Sequence, residues 1–172
     1  MTDKEHYDSH FGHFYSWMTG DFQTRCNEFR NFLTDNSILP SANKIAIVLG
    51  AGHGLQSIPI AEIGFLVLAV DFNKQLLDEL KTNAKDLKIK AINDDIKKVE
   101  ELAVNPELFV CCGDTLSNLA NKPEIKTFIS DISNSLDSKG KAILSFRDYS
   151  TRLSGTDRII PVKSDNSIDL HS

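Results

Sequence analysis

The chain has 172 residues, enough for one domain with a substantial apolar core and too few for two comfortable ones. Hydrophobic residues make up 41% and charged residues 25%, so disorder is not the default expectation. A formal net charge of -5 gives no electrostatic footprint for a phosphate backbone, and nucleic acid is not expected as a partner.

The opening residues, Met1 to His6, are polar and charged, unlike a signal peptide. The most apolar stretch, Ile58 to Val70, is too short to cross a bilayer and is interrupted by Pro59, Glu62 and Gly64. No membrane span is therefore expected, and a cytoplasmic location is. Cys26, Cys111 and Cys112 cannot all pair within one chain, and vicinal cysteines on a strand point to opposite faces, so reduced thiols are expected. His6, His10 and His13 have helical spacing, but no cysteine or acid joins them in a ligand pattern, and no metal is expected.

In chain order, residues 11 to 39 are rich in aromatic and apolar side chains, from Phe11 to Leu33, and read as one or two helices packed on or over a sheet. Ile45-Ala46-Ile47-Val48-Leu49 is an apolar run ending at a glycine cluster, as a strand buried on both faces would be. Leu66-Val67-Leu68-Ala69-Val70 is a second such run, stopped by Asp71. Asn73 is a good N-cap for a helix carrying Leu76, Leu77, Leu80, Ala84 and Leu87 on one face. Ile89 to Ile92 forms a weaker third strand, and Leu108 to Cys112 a fourth. Pro123 to Leu136 aligns Ile125, Phe128, Ile129, Ile132 and Leu136 on a helix face. Ala142 to Phe146 is the fifth strand. Beyond it, Thr151 to Ser172 is polar, with an apolar knot at Ile159 to Val162 and the alternation of an incipient strand from Ser167 to His171. The β-α alternation predicts a parallel sheet with helices on both faces, and ligands at the carboxyl ends of its strands.

The sharpest local signal is Gly50-Ala51-Gly52-His53-Gly54, between the first strand and a helix that Pro59 requires to start near residues 55 to 57. Gly50 suits the sharp turn, Gly52 lets backbone approach a ligand, and Gly54 lets the helix press on the sheet. The helix start would aim N–H groups at an anionic part of the ligand. Asp71, roughly twenty residues on, stands where an acid can accept from both hydroxyls of a ribose. This points to a nucleoside-containing ligand, NAD or S-adenosylmethionine. A dinucleotide fingerprint needs a third glycine three positions after Gly52, where this chain has Leu55, so a ligand without a pyrophosphate is favoured. His53 reads as an exposed loop residue.

These residues resemble the class I S-adenosylmethionine-dependent methyltransferases. Ile47 to Gly54 is similar to the family's first motif, Val70-Asp71 to its second, and Val110-Cys111-Cys112-Gly113-Asp114-Thr115-Leu116 to its fourth-strand motif. Lys139-Gly140-Lys141 resembles the turn before the fifth strand, and Phe146-Arg147-Asp148-Tyr149 the small-molecule members related to glycine N-methyltransferases. The resemblance implies a Rossmann-like doubly wound sheet of order 3-2-1-4-5. It divides the single domain into an N-terminal helical cap (1–40), a core (44–149) and a polar tail (150–172). It implies a cofactor, S-adenosylmethionine with S-adenosylhomocysteine as product, held by Gly50, Ala51, Gly52, Gly54, Asp71, Phe72, Asp94, Asp95, Ile96 and Gly113. Asp95, ahead of Asp94, would accept from the adenine amino group, with a helix cap as its other reading. Asp114 would lie nearest the reacting centre, or else cap a helix starting at Thr115. Tyr15, Trp17 and Met18 are lid candidates, an aromatic core stripe being the alternative, and Arg147 is a substrate candidate.

Two departures from the family pattern stand out. Val48 occupies the position where the family commonly has an acid. The antiparallel strands that usually follow the fifth strand would be missing or incomplete, leaving a sheet edge open to pairing with another copy. The function expected is methyl transfer to a small-molecule acceptor. The alternatives are an inactive or partner-dependent cofactor-binding module and, disfavoured by Leu55, an NAD-dependent oxidoreductase.

Overall fold

In a computed structural model, the structure describes residues 20–102, 105–113, 115–116, 119, 121–146, 161–164 and 169–171. Helix α1 (Phe22–Asp35) is started by Asp21, whose carboxylate accepts from the Thr24 N–H. Strand β1 (Ile45–Leu49) leads into α2 (Ser57–Glu62), β2 (Leu66–Asp71) into α3 (Lys74–Ala84), and β3 (Ile89–Asn93) into a 3-10 segment (Ile96–Leu102) kinked at Lys98. Strand β4 (Leu108–Cys111), α4 (Lys122–Ser135) and β5 (Lys141–Leu144) complete the core. The five strands form one parallel sheet in the order β3-β2-β1-β4-β5, as expected.

Strand alternation divides the core into two layers, because successive side chains leave opposite faces. Ala46 and Val48 of β1, Val67 and Ala69 of β2, and Leu108 and Val110 of β4 face the layer built from Leu33 of α1, Ile58 and Ile60 of α2, and Leu77 and Leu80 of α3. Ile47, Leu49, Val70, Phe109 and Cys111 face the other layer, closed by Phe128 and Ile132 of α4. Val48 is 1% exposed in the first layer, which explains why an apolar residue is at home there. Cys111 and Cys112 pack against opposite layers, as their adjacency predicts. Burial pushes the Cys26 thiol up to about 11 and that of Cys111 to about 12, so both behave as small apolar side chains.

The helix starts follow the sequence signals. Asn73 Oδ1 accepts from the Leu76 N–H at 2.9 Å, and Asn121 Oδ1 from the Glu124 N–H at 3.0 Å. Replacing Asn73 by alanine is expected to cost about 1 kcal/mol in a urea melt, the usual value of such a cap. Pro59 falls at the third residue of α2, within the first turn as required. Beyond the core, β6 (Pro161–Ser164) and β7 (Asp169–His171) pair antiparallel in a separate two-stranded sheet. The apolar knot and the alternation read from the tail thus each supply a strand.

Candidate functional site

The chain winds from β1 through β3 on one side and returns to β4 and β5 on the other, so the carboxyl ends of β1 and β4 form the switch point of the sheet. The glycine loop lies there. Gly50 and Ala51 donate their N–H groups to the Val70 carbonyl at 2.9 and 3.0 Å, and Gly54 donates to the Ala51 carbonyl at 3.1 Å. Gly50, Gly52 and Gly54 have φ of +69°, +51° and +109°, a region costly for other residues. A Cβ on Gly50 would lie 2.2 Å from Thr115 Oγ1 and 2.7 Å from its Cγ2. The loops after β1 and β4 therefore touch across the switch point, with Thr115 seated on Gly50. A Cβ on Gly54 would meet Ile58 Cδ1 at 3.1 Å and Leu80 Cγ at 3.4 Å, so the close neighbours of this glycine are side chains of α2 and α3.

Asp71 ends β2 and is 7% exposed, with its carboxylate turned into the loop. Oδ2 accepts from the Gly52 N–H and Oδ1 from the Asn73 N–H, both at 2.8 Å. The acid thus braces the glycine loop and the start of α3 together. The Gly52 N–H is thereby turned to this carboxylate. Asn93, at the end of β3, donates from Nδ2 to the carbonyls of Asp71 and Phe72 at 3.1 and 2.8 Å, which fixes the chain beyond β2.

On the β3 side, Phe72 is half-buried and Ile96 is buried at 9% exposure. Asp95 Oδ1 accepts from the Lys97 N–H at 3.0 Å, so its capping role is realised. Asp94 Oδ1 pairs with Lys98 Nζ at 2.9 Å and accepts from the Asp95 N–H at 2.8 Å. The Lys98 bond, then the Asp95 N–H, hold the Asp94 carboxyl below its usual range.

On the β4 side, Gly113 has φ +75°, and a Cβ there would meet nothing within 4 Å among the described residues. The Gly113 N–H donates to Ser145 Oγ at 3.1 Å, and Thr115 Oγ1 to the Cys112 carbonyl at 3.2 Å. No local pattern signals the Thr115–Gly50, Asn93–Phe72 or Ser145–Gly113 contacts, because each joins segments that only the topology brings together. Asp114, Arg147, Tyr15, Trp17, Met18 and the histidines His6, His10 and His13 lie outside the described residues.

The reading of His53 as exposed is corrected: it is 3% exposed. Its ring centroid lies 5.1 Å from that of Phe22 at 52°, and its carbonyl accepts from Asn83 Nδ2 at 3.1 Å. Burial lowers its pKa, and the charge of Glu79 partly opposes this. A cleft of about 530 Å³ opens beside it, lined by Phe22, His53 and one face of α3 from Gln75 to Asn83. Neither Asp71, Asp95 nor Gly113 lines that cleft, so it is distinct from the crevice at the strand ends.

The family model described as a methyltransferase domain matches residues 46–140, more than half of the chain. The fold is similar to that of the magnesium protoporphyrin IX methyltransferase ChlM from Synechocystis PCC 6803, with TM-score 0.61 and 20% identity, covering 78% of this chain and 70% of that one. It is also similar to an S-adenosylmethionine-dependent methyltransferase from Clostridium acetobutylicum ATCC 824, with TM-score 0.57 and 19% identity, covering 70% and 48%. A third similar structure is the glycopeptide N-methyltransferase MtfA, with TM-score 0.54 and 17% identity, covering 68% and 52%. The chain spans about half the length of the last two. Comparison with curated proteins gives no match. The chain belongs to the methyltransferase-domain family, and its sheet is that of the class I S-adenosylmethionine-dependent methyltransferases.

Proposed function

We propose that this chain binds S-adenosylmethionine across the carboxyl ends of β1, β2, β3 and β4 and transfers its methyl group to a small-molecule acceptor. The observation that carries the reading is the Asp71 carboxylate bonded to the Gly52 N–H at the rim of the glycine loop. A carboxylate can accept several hydrogen bonds at once, so bracing the loop through Gly52 and Asn73 is compatible with gripping a ribose diol as well. Gly50, Ala51 and Gly54 shape the loop beneath the ligand. Phe72 and Ile96 would flank the adenine, and Asp95 or Asp94 would accept from its amino group. Gly113, at the carboxyl end of β4, would underlie the methionine end.

When bound, the cofactor supplies an electrophilic methyl carbon, and the chain's part is to hold the partners in line and exclude water. Asp114 is proposed nearest the reacting centre, with Arg147 on the substrate side and Tyr15, Trp17 and Met18 as a lid. The acceptors in the names of ChlM and MtfA, a porphyrin and a glycopeptide, differ from one another. They support a small-molecule acceptor without selecting one.

Titration calorimetry with S-adenosylmethionine, S-adenosylhomocysteine and NAD tests the proposal. Binding of both sulfur nucleosides in the micromolar range is expected, with none of NAD. Binding of NAD alone would replace the reading with the oxidoreductase alternative. A methylation screen over amine and carboxylate metabolites then separates an active enzyme from a binding module.

A further inference from the structure

Two observations on His53 belong together and neither is needed for the reading above. Its ring is buried against Phe22, the first residue of α1. Its carbonyl is held by Asn83, near the end of α3. The glycine loop is thus braced at adjacent residues from two directions. The Asp71 carboxylate takes the Gly52 N–H on the sheet side, while Phe22 and Asn83 hold His53 on the helix side. Three glycines at positive φ confer wide backbone freedom, and a loop of that composition keeps one shape only if its surroundings over-determine it.

We infer that His53 is a positioning residue, which holds the glycine loop in its ligand-ready shape by packing its ring against Phe22 and through the Asn83 bond to its carbonyl. The inference rests on the proposal that the loop underlies an adenosyl cofactor. The working part of the side chain is its flat ring, since the contact with Phe22 is a tilted aromatic pair. Loop order is then coupled to the seating of α1. A ligand that needs an ordered loop binds less tightly in proportion to the ordered population.

The test uses the full chain with His53→Ala, His53→Phe, Phe22→Ala and Asn83→Ala. Two readouts are taken: S-adenosylhomocysteine affinity by calorimetry, and hydrogen exchange of the unliganded protein. His53→Ala and Phe22→Ala are expected to weaken S-adenosylhomocysteine by about tenfold, equal to about 1.4 kcal/mol. His53→Phe, which keeps a ring, should stay within about twofold of the unmodified chain on the same scale. Exchange at the Gly50, Ala51 and Gly52 amides should rise in His53→Ala, Phe22→Ala and Asn83→Ala, while β3 and β4 amides keep their protection. Unchanged loop exchange in His53→Ala, or His53→Phe as impaired as His53→Ala, would overturn the inference. So would a uniform rise across the sheet, the mark of a merely structural contact. If the unmodified chain fails to bind S-adenosylhomocysteine, the functional proposal falls, and the exchange pattern still decides the role of His53.

Discussion

Glu107→Gln is expected to destabilise the chain by about 3 kcal/mol, since hydrogen bonds to a charged group contribute about 1.5–3 kcal/mol each and a part-buried donor left unmatched adds to the loss. The residue stands just before β4 at 9% exposure and at the amino ends of the strands, opposite the candidate site. Its Oε1 accepts from the Ala42 N–H at 2.6 Å and the Lys44 N–H at 2.8 Å. Its Oε2 accepts from the Ser41 N–H at 2.7 Å and from Ser41 Oγ at 3.0 Å. A glutamine would turn its NH2 toward one of these donor pairs. Lys44 is held at φ +62°, a strained value for a residue with a Cβ, and its bond to Glu107 offsets that strain just before β1 begins. At roughly 2–4 °C per kcal/mol for a domain of this size, the melting temperature should fall by about 6–12 °C.

The pH dependence gives the same prediction a sign. Burial pushes the Glu107 carboxyl up, but donation from Lys44, Ser41 and Ala42 outweighs it and holds the folded-state pKa at about 2, against 4.5. A depressed pKa means that the unfolded chain binds the proton first, so this contribution is complete above about 4.5 and is lost as pH falls toward 2. Urea melts at pH 7, 4 and 2.5 should therefore show the gap between the unmodified chain and Glu107→Gln narrowing as pH falls. A gap of constant size, or none at pH 7, would contradict the carboxylate's role.

Glu107 also shows where sequence reading stops. It is one of 24 acidic residues, and its partners lie 63 to 66 positions earlier in the chain, so no local pattern singles it out. Strands β1, β2 and β4 are legible for the opposite reason: each is a continuous apolar run ending in a glycine or polar stop, and burial on both faces demands such a run. Asp71 was legible by spacing, because a strand end fixes where its side chain emerges. What spacing did not show is that the carboxylate also ties down Gly52 and Asn73. His53 was misread because glycine neighbours suggest an exposed loop. Its burial draws on Phe22, 31 positions earlier, which only the packing of α1 against α2 brings near. Thr115 on Gly50 is the same kind of contact, across the switch point from another strand. Periodicity and stops therefore revealed elements and their ends, while contacts between distant loops required the three-dimensional arrangement.

Asp71→Asn is expected to weaken S-adenosylhomocysteine binding about a hundredfold, or about 2.7 kcal/mol. Two losses combine. An amide presents only one oxygen, so either the Gly52 or the Asn73 N–H loses its acceptor and the loop loosens. The negative charge proposed to accept from the ribose hydroxyls also disappears. The two can be separated by comparing S-adenosylhomocysteine with its 2′-deoxy analogue in both proteins, which forms a double-mutant cycle between the carboxylate and one hydroxyl. The unmodified chain should prefer the hydroxyl-bearing ligand by about tenfold, and Asp71→Asn should bind the two almost equally. If Asp71→Asn loses affinity but keeps the full preference, Asp71 shapes the loop alone and another group grips the sugar. If it keeps both affinity and preference, the carboxylate has no part in the site, and the proposal built on it fails.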